Sequence, residues 1–418
     1  MNSKYSIKFS WSLYDWANSA WSAIIITFIF SRYFVDVLSP NPDIGTLYWT
    51  WTIGLSSLVA AFLSPIFGTL SDQSQKSKSW LIFTTLIYSF IAFTFWFAEP
   101  NGFNLILIIF LIFFGNISYE ISQIFYNGQL KVITSENNFA KLSGFAWGLG
   151  YAGTVIIFSI YYGIFLLPSD PIFLLDKSSY ENIRISFPLT GLWIIVFSLP
   201  LFFTYKDPDK DLLSAKINLK ESFHQILKTF RELKKYKNII WFLIARLFYM
   251  DGINAIFAVA AIYATIVFGM STSDIIVLGI GTNIAAGLGS WFFSFIEHKF
   301  GSKNIIVFSL ICIFIISAII ILINEKDNFI IFAIILSSFF GPIQSASRVY
   351  YAKIIPNEKK YEFFGFYSFS GKVTSFIGPV LYGTISYIFS SPKLGMASLM
   401  LLFAIGLIIL IKVDNDLK

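Results

Sequence analysis

Six ionisable side chains stand inside long apolar stretches of this chain: Asp15, Arg32, Glu120, Arg246, Asp251 and Lys372. A charge in hydrocarbon is costly unless it is paired or hydrated, so intramembrane ionisable residues mark solute pathways, proton relays or ion pairs. Arg32 lies near the end of its stretch and can snorkel to the interface; the other five are deeper. The deep residues keep polar company at helical spacing. Asp15, Asn18 and Ser22 fall on one helix face, as do Asn116, Glu120, Gln123 and Asn127, and as do Ser368, Lys372 and Ser375. Asp251 and Asn254 share a face, with Arg246 a little over a turn earlier and pointing elsewhere. Mixed charges of this kind suit a zwitterion, whose carboxylate meets Lys372 or Arg246 and whose ammonium meets Asp15, Glu120 or Asp251. They also suit proton coupling through a desolvated carboxyl. A third reading is structural, with an acid of the first or seventh stretch paired to Lys372 to fix helix packing. The residues alone leave all three open.

The elements that must position these residues are transmembrane helices. Hydrophobic residues make up 56% of the chain and charged ones 13%, about half the roughly 25% of a soluble domain. That excludes a soluble enzyme, a nucleic-acid binder and a disordered scaffold. A bilayer core about 30 Å thick takes roughly 20 apolar residues per helix. Twelve such spans are predicted, at 10–37, 45–70, 79–98, 103–128, 141–167, 187–205, 238–268, 272–297, 303–323, 328–352, 362–390 and 393–412. The charged segment 206–237 divides them six and six, giving bundles over 1–205 and 238–418. Its stretch LKESFHQILKTFRELKKY (219–236) reads as an amphipathic helix at the membrane interface. With both termini placed in the cytoplasm, most Lys and Arg fall in cytoplasmic segments. The outer loops keep only Lys177, Arg184, Lys326 and Lys393, as the positive-inside rule requires.

Soluble chemistry finds no purchase. One cysteine and two histidines cannot make a disulfide or a metal cluster, so no cofactor is expected. GFYSFSGK (365–372) lacks both the spacing and the following Ser/Thr of a phosphate loop. Any pumping is therefore expected to be gradient-driven, with a small-molecule substrate, membrane lipid and protons as partners, no nucleic acid, and a monomeric state. Trp16, Trp21 and Trp147 stand near the polar faces as packing or solute-stacking residues.

Two loops repeat. GTLSDQSQKSKS (68–79) parallels SFIEHKFGSKN (294–304), with Asp72 on Glu297 and Lys78 on Lys303 at an offset of 225. LKVITSENNFAKLSGF (130–145) parallels YAKIIPNEKKYEFFGF (351–366), with Gly144 on Gly365 at an offset of 221. Similar offsets from separate loops point to two related six-helix halves.

The arrangement, with GTLSD and KSK after the second span, resembles the major facilitator superfamily. YDWANSA (14–20), FYN (125–127), SGFAWGLGYAG (143–153), DG (251–252), QSASR (344–348) and FFGFYSFSGK followed by GP (363–372, 378–379) are similar to the fungal vacuolar amino-acid effluxers and their bacterial relatives. The resemblance implies a twelve-helix transporter with a cytoplasmic gate. In it Gly68 gives close helix contact and Asp72 clusters with basic residues, here Lys76 and Lys78; the repeat adds Glu297 and Lys303. Gln75 stands where that pattern has a second glycine. The function expected is secondary transport of a small polar solute, an amino acid first, across a bacterial cytoplasmic membrane. Another solute (organic acid, peptide or nucleoside), a lipid flippase or scramblase, and a membrane sensor are the alternatives.

Overall fold

A computed structural model describes residues 3–100, 104–168, 175–207, 225, 228, 229, 231 and 233–415. Among these every regular element is helical. In hydrocarbon each backbone N–H and C=O must find its partner within the chain, and the helix is the solution open to a single segment. The helices are α1 (Ser6–Leu38), α2 (Pro42–Ser74), α3 (Ser77–Phe97), α4 (Leu105–Ile133), α5 (Glu136–Leu166), α6 (Glu181–Thr204), α7 (Lys237–Phe268), α8 (Thr272–Phe300), α9 (Ser302–Leu322) and α10 (Lys326–Ile354). They are followed by the two-part α11 (Lys360–Lys372 and Ile377–Ile388) and α12 (Pro392–Ile411).

Side chains start several of them. Asn41 accepts the Ile44 N–H at 2.9 Å with Pro42 in the first turn of α2, and Ser271 and Asp274 form a reciprocal capping box at α8. The turn between α2 and α3 rests on Gln75, which adopts the left-handed conformation at φ +51°. Glycine takes that geometry without steric penalty, so Gln75 keeps the backbone shape that the missing glycine would give.

Several helices depart from regularity: α5 ends in π-helical turns over Tyr162–Leu166 and α10 is interrupted at residues 338–339. α1 widens to π-helical turns over Trp21–Phe28, and α11 breaks. The sequence reading made 362–390 one continuous span; instead residues 373–376 form tight turns, with Ser375 N–H on Lys372 O at 3.1 Å and Ile377 N–H on Thr374 O at 2.8 Å. Pro379 has no N–H to continue the ladder back to Ser375, and the β-branched pair Val373–Thr374 lowers the helix preference just before it.

α1–α6 and α7–α12 meet along two broad seams, α2 against the first part of α11 and α5 against α8. Both seams are closest toward one end of the bundle, the end that carries the basic loops. The segment 219–236 lies largely outside the described residues.

Candidate functional site

The seams close at the basic end because glycine permits it. A Cβ on Gly68 would sit 2.1 Å from the Tyr361 carbonyl oxygen, and one on Gly365 would sit 2.5 Å from the Ser64 carbonyl oxygen. On the other seam a Cβ on Gly144 would fall 2.3 Å from Ser294 Cβ and 2.7 Å from Ser290 O. Gly144 and Gly365 are the repeat-related pair at the offset of 221, and their partners Ser290 and Pro65 are related by the offset of 225, so the two seams are copies of one contact. Asp72 supports the closure by accepting the Glu362 N–H at 2.7 Å and the Tyr361 N–H at 3.2 Å, which caps the N-terminus of α11. The Tyr361 hydroxyl donates to Ser77 at 2.7 Å, Ser77 donates to Asp207, and Lys131 reaches the Ile355 carbonyl at 2.7 Å. Burial pushes the neighbouring Tyr205 phenol up to about 12. Glu362, wholly buried, accepts hydrogen bonds from Gln225 at 2.7 Å and from Thr229.

The charge cluster anticipated from sequence takes a different form. Among the described residues neither Lys76 nor Lys78 makes an ion pair; Lys76 is exposed, and Lys78 contributes its backbone N–H to Asp207 at 3.2 Å. Asp72 draws on backbone donors instead. In the second copy Glu297 is buried and Lys303 bonds the Val413 carbonyl.

Above this closed end two ion pairs join the halves among the described residues. Arg348, on α10, meets Asp15, on α1, at 3.3 Å. It also donates to Ser143 Oγ at 2.9 Å, Ser143 O at 3.0 Å and Asn127 Oδ1 at 3.2 Å. Its guanidinium faces the rings of Trp11, Tyr126 and Trp147 at 4.8, 5.6 and 5.6 Å. Only 2% of Arg348 is exposed. Charge, fork geometry and aromatic faces are all satisfied at once.

Lys372 ends the first part of α11 and pairs with Glu120, on α4, at 2.7 Å. Its cation also complements the carbonyl end of the helix it terminates. The Lys372 side chain is 35% exposed and that of Glu120 7%. Nearby polar groups are lightly engaged among the described residues: Gln123 reaches Ser122 alone, at 3.3 Å, and Asn18 Oδ1 is buried without a hydrogen-bond partner. Asn116 bonds Ser56 and Ser57 on α2, at 2.8 and 3.2 Å. Tyr151 donates to Gln344 at 3.1 Å, crossing from α5 to α10.

α7 stitches the break in α11. Asp251 accepts the Gly378 N–H at 3.3 Å, at the start of the second part, while Asn254 donates to the Gly371 carbonyl at 3.3 Å, at the end of the first. Arg246 donates to Tyr367 O at 2.6 Å and Ser370 Oγ at 2.9 Å, and lies 3.5 Å over the Tyr367 ring. It has no carboxylate within ion-pair distance among the described residues. The structure thus gathers Asp15, Asn18, Glu120, Gln123 and Lys372 on the elements flanking the halves' interface, and engages Arg246, Asp251 and Asn254 in the α7–α11 contact. At the far end Arg32 pairs with Asp36 at 2.5 Å, mostly exposed.

Comparison with known proteins agrees with this architecture. The profile of the family described as "Vacuole effluxer Atg22 like" matches residues 46–417. The chain belongs to the Atg22-like family. An MFS-type transporter, YxiO, of Bacillus subtilis is 27% identical to this Atg22-like chain over 417 residues, covering 97% of it and 94% of the relative. Autophagy-related protein 22 of Vanderwaltozyma polyspora is 27% identical over 326 residues, 67% of this chain and 61% of that one; the Saccharomyces cerevisiae protein of the same name is 24% identical over 279, 59% and 51%. The chain therefore spans one half to three fifths of the length of these fungal relatives. Among solved structures, the human organic anion transporter MFSD10 superposes with TM-score 0.78 at 9% identity, covering 97% and 99% of the two chains. The proton:xylose symporter XylE superposes with TM-score 0.77 at 12% identity, covering 99% and 96%. The Atg22-like chain thus has the major facilitator fold, and it is an MFS-type transporter, an integral membrane protein.

Sequence reasoning missed Arg348. QSASR was singled out for its resemblance and not for its charge, although span 328–352 places Arg348 inside a helix. Applying the 221 offset would have exposed it, because Arg348 corresponds to Asn127 of the polar face on the fourth span.

Proposed function

We propose that this Atg22-like protein is a secondary transporter of a small polar solute, an amino acid first among candidates, working by alternating access. The closed, basic end is the cytoplasmic one on the positive-inside bias, and the form described is closed to the cytoplasm. The observation that carries the reading is the Glu120–Lys372 pair. It joins the two halves, it sits at the break of α11, and its lysine keeps a third of its side chain accessible. A zwitterion can split such a pair, carboxylate to Lys372 and ammonium to Glu120, at little net electrostatic cost. Arg348 is too enclosed for that exchange. Of the three acids first considered for proton coupling, Asp15 is held by Arg348 and Asp251 caps a helix, which leaves Glu120 as the coupling group. Resemblance along nearly the full length of a Bacillus relative supports a bacterial cytoplasmic membrane, with both termini inside.

The test is counterflow in proteoliposomes loaded with neutral amino acids, following entry of labelled leucine with wild type and Lys372→Ala. The expected result is uptake by wild type and none by the variant. Wild-type uptake no greater than that of empty liposomes, with the protein folded, removes neutral amino acids and sends the search to other solutes.

A further inference from the structure

The α5–α8 seam carries a groove that the transport reading does not use. It opens sideways to hydrocarbon, holds about 370 Å³, and is lined by Phe145, Gly148, Ala152, Leu288 and Trp291 among others, with Asn283 its one polar residue. Glycine at 148 is under less steric demand than the glycine at 144. A Cβ at that position would come no nearer than 3.4 Å to another atom, against 2.3 Å at Gly144 one turn away. The missing side chain hollows the wall. The repeat-related seam is filled at its lipid side instead, where the Phe62 and Phe369 rings meet edge to face at 5.5 Å.

The groove points at cations. Lys141 lies one turn before Phe145 on the same face of α5, and both are exposed; His298 and Lys299 are exposed in the last turn of α8. An apolar channel that ends in basic side chains at headgroup level matches the two-part chemistry of one ligand. We propose that the groove seats one acyl chain of an anionic phospholipid whose phosphate is bound by Lys141 and Lys299. The hydrocarbon that bathes this wall supplies the chain, and the lysines select the headgroup. Because α5 and α8 belong to different halves, a chain seated there bridges them and favours the closed basic end.

The test uses the full-length protein in vesicles containing phosphatidylglycerol or phosphatidylcholine that bears a photoactivatable acyl chain, with labelled peptides mapped. Label from phosphatidylglycerol is expected to concentrate on residues 145–156 and 284–291. The change Lys141→Gln should weaken phosphatidylglycerol labelling about fivefold, as should Lys299→Gln, with phosphatidylcholine labelling unchanged. Gly148→Leu, which fills the hollow, should remove the label from both peptides. If that variant fails to fold, the two surface variants still decide the matter. Equal labelling by the two lipids, or label spread evenly over lipid-facing helices such as α3 and α6, overturns the proposal.

Discussion

Two ion pairs of the same chemistry cross between the halves, and they are built for opposite purposes. Asp15–Arg348 is closed in on every side: three ring faces, a serine hydroxyl, a serine carbonyl and an asparagine surround the guanidinium. Glu120–Lys372 is shorter, 2.7 Å against 3.3 Å, yet its lysine is 35% exposed where the arginine is almost wholly covered. Distance alone would rank the second pair as the stronger. Enclosure reverses the ranking, because a buried pair is expensive to separate and an accessible one can exchange its partner for water or a solute. The first pair is a lock on the arrangement of the halves, and the second is the one that the proposed solute would enter.

The largest effect should come from breaking the lock. Arg348→Met keeps the bulk but leaves Asp15 buried without a counter-ion, which costs about 3–5 kcal/mol for a pair so enclosed. A thermal unfolding scan in detergent should show a large drop in Tm, and Arg348→Lys should recover only part of it, since an ammonium cannot reproduce the forked donation to Ser143 and Asp15 together with the contacts on three rings. The contrasting variant, Glu120→Gln, leaves behind the 35% exposed Lys372, which can turn to water, and should lower stability by no more than about 1 kcal/mol. Equal Tm losses for the two variants would erase the distinction between the pairs.

The second comparison is functional. Glu120→Gln keeps shape and one hydrogen bond but cannot carry a proton. Its amide oxygen still accepts from the solute ammonium, but more weakly than a carboxylate, so exchange across proteoliposomes with no gradient should persist at a raised KM while uphill flux driven by a pH gradient is lost. Should uphill flux survive in Glu120→Gln, coupling lies elsewhere and this pair serves binding alone.

How far the sequence anticipated this arrangement depends on the range of the interaction. Helix positions were legible because hydrocarbon imposes length and apolar content one span at a time. The α2–α11 and α5–α8 seams were foreshadowed by glycines repeating at a fixed offset, since a close backbone approach leaves a residue-type mark. Pairing was not legible. Asp15, Glu120 and Asp251 look alike in one dimension, and nothing local says that the first meets α10, the second α11 and the third a backbone N–H. The break in α11 was half visible, since Pro379 has no N–H to continue the ladder, but the stitching by Asp251 and Asn254 depends on a helix more than a hundred residues away. Asp72 illustrates the same limit. Its sequence neighbours Lys76 and Lys78 were the natural partners, and the partners it has are the backbone N–H groups of Tyr361 and Glu362.

The smallest predicted effect sharpens the comparison through the internal repeat. At the offset of 221, Lys372 corresponds to Tyr151 and Gln123 to Gln344. The α4–α11 crossing made by Glu120 and Lys372 thus has a neutral counterpart in the α5–α10 crossing, where Tyr151 donates to Gln344 at 3.1 Å. If charge, and not merely a polar crossing at this level, is what the solute uses, the neutral copy is structural. Tyr151→Phe should then cost only about 0.6 kcal/mol, the size of a single hydrogen bond between membrane helices, and leave counterflow close to wild type. A loss of counterflow in Tyr151→Phe as complete as in Lys372→Ala, at unchanged Tm, would mean that both crossings face the solute and that the asymmetry of charge sets its orientation, not its binding site.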